Sequence, residues 1–317
     1  MLKRIALALC AAIGPAQAEE TVIIGSSTVA PYARAVISHI QGTLTNKLRI
    51  DPQGSNAGIR ALCSGAKPLT LSSRRMARDE QSVCAETLGT RLSEFAIGNN
   101  GVVLVTYRET ALPNFSVTRE ELFRALAKNV PDADCQLVPN EALTWRDVSE
   151  RLPDVPIKVF GPSARHGTYS SFVDLALAKG AKRNSCHAAL EAQEQGAMER
   201  TAKALRTDGV FVVMNEERSD LVLNLHKEQG ALGILDYGAS QRLKTHLQVV
   251  RVEGRAPTKL TLGDGSYPLA SPLWMYLNDA AVDLDEDLKA FRNAFMAEEA
   301  IGPGGYLSRI GLIPARH

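Results

Sequence analysis

The chain has 317 residues, of which 45% are hydrophobic and 22% are charged, and its 36 basic side chains nearly balance 35 acidic ones. This balance excludes the strongly basic composition that is typical of proteins that bind nucleic acid. The length exceeds what a single hydrophobic core usually supports, so we expect two domains.

Residues 1–18 have the pattern of a secretory signal peptide. Lys3 and Arg4 precede a short apolar run, and an Ala-x-Ala site predicts cleavage after Ala18. The run is too short to cross a bilayer, and Leu9 stands before Cys10 where a lipoprotein needs a small residue. We therefore expect a soluble protein in the periplasm. Cleavage would leave 34 basic against 35 acidic residues, so a small anion would have to be captured by local geometry.

The exported part contains four cysteines, an even number that implies two disulfide bonds. Three pairings are possible. We favour the order-preserving one, Cys63 with Cys84 and Cys135 with Cys186, which closes one loop in each half. The sequence has neither the His and Cys spacing of a zinc site nor an acidic calcium loop, so we expect no metal and no other cofactor.

Predicted strands and helices alternate along the exported part, which is typical of an α/β fold with a mostly parallel sheet. The predicted strands lie at residues 21–24, 47–50, 68–72, 93–96, 102–106, 156–162, 209–213, 230–235, 247–252 and 267–277. The predicted helices lie at residues 32–37, 59–63, 78–84, 122–126, 169–178, 191–205 and 288–299. A capping box at Thr118 and Glu121 marks the start of one helix. The sequence Gly-Asn-Asn-Gly at 98–101 predicts a turn between two short strands.

Three turns rich in small polar residues each precede a predicted helix. They lie at residues 25–31, 54–58 and 166–170. Such a turn points backbone N–H groups and hydroxyls at one spot, at the positive end of a helix dipole, so it binds anions without a cationic side chain. A single turn of this kind is more often a plain helix cap. The recurrence favours an anion site.

These turns and other segments resemble, in the same order, the periplasmic phosphate-binding proteins of ABC uptake systems. The matching segments lie at residues 25–31, 54–59, 71–76, 166–172, 230–234, 267–273 and 311–314. The resemblance implies a two-lobed α/β type II periplasmic binding protein, with a mixed sheet flanked by helices in each lobe and a ligand cleft between the lobes. Lobe I would comprise residues 19–106 and 237–317, and lobe II residues 107–236.

The resemblance also implies a ligand and the groups that bind it. A monomer would capture inorganic phosphate, or a similar oxyanion, and deliver it to an ABC permease in the inner membrane. Backbone N–H groups, hydroxyls and an arginine would surround the anion, because a buried oxyanion needs donors on all its oxygens. The candidate ligand-binding residues are Ser27, Thr28, Val29, Ser55, Ser73, Arg74, His166, Gly167 and Thr168.

Three positions depart from the family pattern. Arg74 follows Ser73 where the family often has an aspartate that accepts the proton of hydrogen phosphate, which leaves discrimination against sulfate open. The arginine that many members place before the Gly-Thr turn is missing near Gly161, so Arg74 or Arg165 would supply the charge. His166 replaces a serine. Histidine titrates in the physiological range, so affinity should fall as pH rises if this residue contacts the ligand.

Three other functions remain open. The chain could be a receptor for another oxyanion such as sulfate or molybdate, a sensory or adhesive protein with the same fold, or a secreted phosphatase. No Gly-x-Ser-x-Gly elbow or Ser-x-x-Lys pattern occurs with its partners at a strand-to-helix turn, so we expect no enzyme activity. Competition between phosphate and sulfate would separate the binding functions, and product release from a phosphate ester would reveal an enzyme.

Overall fold

A computed structural model describes residues 20–164, 166–214 and 219–315. The predicted signal peptide and Arg165 lie outside these residues. Within them, no helix is long and apolar enough to cross a membrane.

The strands alternate with helices along most of the chain, as the sequence predicts. The strands are β1 (Glu20–Ile24), β2 (Lys47–Asp51), β3 (Leu69–Ser72), β4 (Ser93–Tyr107), β5 (Ser116–Val117), β6 (Asn129–Pro131), β7 (Leu137–Pro139), β8 (Val159–Pro162), β9 (Phe211–Met214), β10 (Leu232–Asp236), β11 (Leu247–Val249), β12 (Arg251–Val252) and β13 (Ala270–Leu277).

The helices are mostly short. They are α1 (Ala30–Ile40), α2 (Ser55–Cys63), α3 (Arg78–Leu88), α4 (Arg119–Leu126), α5 (Trp145–Val148), α6 (Gly167–Phe172), α7 (Lys179–Ala181), α8 (His187–Gln193), α9 (Ala197–Lys203), α10 (Ser219–Lys227), α11 (Tyr237–Arg242), α12 (Lys259–Gly263), α13 (Asp279–Asp283), α14 (Glu286–Met296) and α15 (Glu298–Ile301). A π-helical turn at Val173–Ala178 joins α6 to α7, so these three segments form one continuous helix. The predicted capping box starts α4, where the Thr118 hydroxyl accepts from the backbone N–H of Glu121 at 3.1 Å.

One mixed sheet runs through the molecule in the strand order β3-β13-β4-β10-β8-β9, with β11 also paired to β4. The pairs that involve β4 or β13 are antiparallel, and only those that involve β8 are parallel. The expectation of a mostly parallel sheet is therefore wrong for this sheet. The reason is that β13 and β4 are long strands that cross the molecule in opposite directions.

Strand β4 is continuous over 15 residues, so the predicted turn at residues 98–101 is wrong. Its first part pairs with β13 as far as Gly101, and its second part pairs with β10 from Val102. The pairing with β13 shifts register opposite Gly98, which has a φ of 142°. The glycine and asparagine residues thus form an irregularity within a strand, because pairing on both sides overrides their turn preference.

Two large hydrophobic cores lie along β4. Core I contains Ile97 of β4 with residues of β1, β3, α1, β13 and α14, and core II contains Val102 of β4 with residues of α4, α6, β8 and β10. Burial of a large apolar side chain contributes roughly 1.5–3 kcal/mol, so each core can hold its own set of elements together. The expected mixed α/β architecture with two lobes is confirmed.

Each predicted disulfide is present with the order-preserving pairing. Cys63 at the end of α2 is bonded to Cys84 of α3. Cys135, in the loop between β6 and β7, is bonded to Cys186 just before α8. Both bonds link neighbouring segments of the sequence, at separations of 21 and 51 residues.

Candidate functional site

The first turn, between β1 and α1, is built on close backbone contact with β3. The N–H of Ser26 donates to the carbonyl oxygen of Leu71 at 2.8 Å. A Cβ atom on Gly25 would lie 2.6 Å from the same oxygen, so only glycine permits this approach. The turn is therefore fixed to the end of β3.

The donors of the first turn differ in whether they already have partners. The N–H of Thr28 donates to the Ser26 hydroxyl at 3.1 Å, and the N–H of Val29 donates to the Ser26 carbonyl at 3.2 Å. The sequence predicts both amides as donors to the ligand, whereas in the structure both donate to Ser26 within the turn. The hydroxyl of Thr28, in contrast, is buried and has no hydrogen-bond partner among the described residues.

The second turn and the tip of β3 bring two of the predicted serines together. Ser55 begins α2, and its hydroxyl lies 3.2 Å from the Ser73 hydroxyl and accepts from the N–H of Ser73 at 3.0 Å. Gly54 donates to the carbonyl oxygen of Gly25 at 2.9 Å, which ties this turn to the first one. The Ser271 hydroxyl supports the tip by donating to the Ser73 carbonyl at 2.7 Å.

The guanidinium group of Arg74 is hydrogen-bonded to side chains and backbone close to the tip of β3. Its Nε donates to Asn56 at 2.9 Å, and its Nη1 and Nη2 atoms each donate to a different carboxylate oxygen of Glu80 at 2.7 Å. Nη1 also reaches the carbonyl oxygen of Arg75 at 3.2 Å. Hydrogen bonding to Arg74 outweighs the opposing effect of burial and holds the pKa of Glu80 below its usual value. The arginine thus joins the tip of β3 to α2 and α3.

The third turn starts the helix that begins with α6. His166 is the N-cap, and its Nδ1 accepts from the N–H of Thr168 at 3.2 Å. The residue after His166 is Gly167, the first residue of α6, as the sequence predicts. Thr168 is buried, and so is the hydroxyl of Ser171 one turn later, which has no hydrogen-bond partner among the described residues.

Four of the predicted ligand residues meet in one cleft of about 390 Å³. Ser27 and Thr28 line it from the first turn, beside core I, whereas His166 and Thr168 line it from the start of α6, beside core II. The cleft therefore lies between elements of the two lobes. Hydroxyl and amide donors at this place can bind the oxygens of a small anion.

The same cleft is lined by residues that the sequence did not single out as ligands: Asn100 of β4, Asp236 and Arg242. Asp236 ends β10, and the rule that ligands bind beyond the carboxyl ends of strands could have identified it. Nothing in the sequence pattern pointed to Arg242, which lies at the far end of α11. Nearby, burial and the carboxylate of Asp236 raise the pKa of Tyr32.

Among the residues that the structure describes, no group of three or more His, Cys, Asp or Glu side chains could hold a metal ion.

Several known proteins are similar to this chain over most of its length. The phosphate-binding protein PstS of Staphylococcus haemolyticus is 24% identical over 277 residues, which cover 84% of this chain and 73% of that protein. Protein SphX of Synechococcus elongatus is 24% identical over 298 residues, which cover 92% of this chain and 76% of that protein.

Solved structures with a similar fold are also known. The crystal structure of a possible phosphate binding protein from Planctomyces limnophilus matches with a TM-score of 0.70 and 22% identity over 94% of both chains. These likenesses confirm the resemblance that the ordered segments predict. A family model described as a PBP superfamily domain matches residues 11–299. Since this match spans most of the sequence, the chain belongs to the PBP superfamily.

Proposed function

We propose that this protein captures inorganic phosphate in the cleft between its lobes and delivers it to an ABC permease. One observation carries the proposal. The hydroxyl of Thr28, which is buried and has no partner in the described part of the chain, lines the same cleft as His166 and Thr168, which come from the other lobe. A buried hydroxyl without a partner is costly, and an anion in the cleft would remove that cost. The names of the similar proteins support phosphate as the anion.

The proposed binding set extends the residues of the cleft to their neighbours. Ser55 and Ser73 would add hydroxyls from α2 and the tip of β3, since their turn is hydrogen-bonded to the first one. The N–H groups of Val29 and Gly167 lie at the starts of α1 and α6, where helix dipoles favour an anion. The amides of Thr28 and Val29 would exchange their bonds with Ser26 for bonds with the ligand.

We further propose the lobe limits and the setting in which the protein works. Residues 19–106 and 237–317 would form lobe I, and residues 107–236 lobe II, as the resemblance implies. Residues 23–97 and 273–312, which build core I, support the first assignment, whereas residues 237–269 pack in core II. The protein would act as a periplasmic monomer after cleavage behind Ala18. It would bind and release its ligand without catalysis, as substrate-binding members of its family do.

Calorimetric titration of the mature, ligand-stripped protein with phosphate and then with sulfate tests the proposal. Tight binding of phosphate with no response to sulfate would support a phosphate receptor. Equal binding of both would make the protein a receptor for a broader class of oxyanions. Binding of neither would overturn the proposal and favour a sensory or adhesive role. Release of product from a phosphate ester would contradict the assignment as a binding protein.

A further inference from the structure

We propose that Arg242, at the end of α11, supplies the positive charge for the anion bound in the cleft. The inference rests on the proposed function, because it concerns the same cleft. It replaces Arg74 as the cationic partner of the ligand and makes Arg74 a positioning residue.

The guanidinium group of Arg74 already has hydrogen-bond partners. Both of its terminal nitrogens donate to Glu80, and its Nε donates to Asn56. Paired forks of this kind are among the strong hydrogen-bonded contacts in proteins. Asp174, on the π-helical turn after α6, adds a second carboxylate that acts electrostatically on Arg74. Turning Arg74 to a ligand would leave Glu80 without its cationic partner, so the arginine is better suited to holding the tip of β3.

Arg242, in contrast, lines the cleft and can turn to a ligand there. It is the only arginine or lysine among the described residues that line the cleft, which it shares with Thr28, His166 and Thr168. Its side chain is exposed. It forms no ion pair or hydrogen bond with another residue in the part of the chain that the structure describes. A charge at the mouth of a cleft attracts an oppositely charged ligand and contributes to the rate of its capture.

Helix α11, which carries Arg242, is held in place at its start. Its N-cap Asp236 accepts from the N–H of Ala239 at 2.8 Å. The next turn lies against the end of the chain, where a Cβ atom on Gly238 would be 2.8 Å from the carbonyl oxygen of Ile310. Asp236 and Arg242 both act electrostatically on the Tyr32 hydroxyl. Contacts of its first residues therefore hold α11 at one side of the cleft, and Asp236 and Tyr32 line the same cleft as Arg242.

The test compares Arg242→Gln with Lys244→Gln. Lys244 is an exposed cation two residues further on, and it is not among the cleft residues, so its variant removes the same charge from a neighbouring place. Phosphate affinity is measured by calorimetry at about 0.01 M and about 1 M ionic strength, where the Debye length is about 30 Å and about 3 Å. Arg242→Lys is the conservative variant, and thermal unfolding checks that each variant folds.

We expect Arg242→Gln to weaken phosphate binding about tenfold or more at low ionic strength, with a smaller loss at high ionic strength because salt screens the charge. Arg242→Lys should recover part of the affinity, and Lys244→Gln should bind like the wild type. Equal affinity of Arg242→Gln and Lys244→Gln, with phosphate bound tightly by the wild type, would overturn the inference and leave the proposed function intact. A wild type that binds neither phosphate nor sulfate would overturn both.

Discussion

Two threonine hydroxyls in this protein, those of Thr28 and Thr106, are buried and have no hydrogen-bond partner among the described residues. They differ in what they face. Thr28 lines the cleft, whereas Thr106 lies in β4 next to residues of core II. A buried hydroxyl without a partner costs about 1–3 kcal/mol. Under the proposed function, an anion that accepts a hydrogen bond from Thr28 would remove this cost.

We predict that Thr28→Val weakens phosphate binding by roughly 10- to 100-fold, since a hydrogen bond to a charged group contributes about 1.5–3 kcal/mol. The ligand-free protein should become no less stable, because the variant removes an unsatisfied polar group. Calorimetric titration and chemical denaturation measure the two effects. Thr106→Val is the matched control and should leave phosphate affinity unchanged; a similar loss of affinity in both variants would contradict the role of Thr28.

We predict that Glu80→Gln lowers the stability of the protein at neutral pH by about 1 kcal/mol, as for the loss of a helix cap. Glu80 accepts from Arg74 and from the N–H of Ala77 at the start of α3. Arg74 lowers the pKa of this carboxyl in the folded protein. Its contribution to stability is therefore present above the pKa of the unfolded chain and is lost as pH falls through the lower, folded pKa.

Denaturant unfolding of wild type and Glu80→Gln at several pH values between neutral and acid checks this prediction. The two stability curves should converge as the pH falls. Glu86→Gln, on the exposed side of the same helix, removes the same charge and should unfold like the wild type. Parallel curves for wild type and Glu80→Gln down to the most acid pH would show that the ion pair does not stabilise the fold.

The sequence was sufficient to predict the small polar turns that precede α1 and α6, because such turns depend on local chemistry. Ser27, Thr28, His166 and Thr168 stand in turns before helices, and the structure brings them to one cleft. The partner of Arg74 and the position of Arg242 could not be predicted in this way. Both depend on how helices are oriented and how they pack against segments that are distant in the sequence. The residue types next to Arg74 and Arg242 in the sequence do not determine this packing.

Among the elements, α2 carries a candidate ligand residue at one end and a disulfide bond at the other. Ser55 is its first residue, and Cys63, its last, is bonded to Cys84 of α3. The tip of β3 that carries Ser73 lies between these two helices and is bonded to both through Arg74. The disulfide therefore stabilises the framework around the second turn of the candidate site.

We predict that replacing both Cys63 and Cys84 by alanine lowers the free energy of unfolding by about 3 kcal/mol, and that replacing Cys135 and Cys186 lowers it by about 4 kcal/mol, because a longer loop gains more freedom in the unfolded chain. The bonded cysteines of the two pairs are 21 and 51 residues apart in the sequence. Denaturant unfolding of the two double variants measures this. Only the first pair should also weaken phosphate binding, since the second lies in another part of the fold.

In the whole molecule, both lobes depend on the place where β4 crosses between the cores. Gly98 lies there, and a Cβ atom on it would be 2.8 Å from the carbonyl oxygen of Ile313. Ile313 is hydrogen-bonded to this part of β4 in both directions. The N–H of Asn99 donates to the carbonyl oxygen of Ile313 at 2.6 Å, and the N–H of Ile313 donates to the carbonyl oxygen of Asn99 at 2.9 Å. The relative position of the lobes is thus set by a few residues of backbone. Turn preference misled the prediction here because the pairing partners lie far away in the sequence.

We predict that Gly98→Ala destabilises the protein by about 1–3 kcal/mol, because alanine is strained at a φ of 142° and would also meet Ile313. Phosphate affinity should fall as well, since the crossing sets how the two sides of the cleft face one another. Gly42→Ala is the control. No atom lies within 4 Å of its added Cβ, so its stability should change by less than about 0.5 kcal/mol. Equal unfolding of the two variants would contradict the importance of the crossing.

The two cores also differ in when their residues leave the ribosome. Apart from Ile313, core II is drawn from residues 102–269, one uninterrupted stretch, whereas core I needs both residues 23–97 and residues 273–312. The tip of β3 cannot reach its final structure before β13 is present. The Ser271 hydroxyl donates to the Ser73 carbonyl, and the N–H of Met76 donates to the Tyr276 hydroxyl, between residues that are 198 and 200 positions apart in the sequence. Contacts at such separations form slowly. Core II can therefore form before β13 has paired with β3, and the tip of β3, which belongs to the proposed binding set, reaches its final structure later.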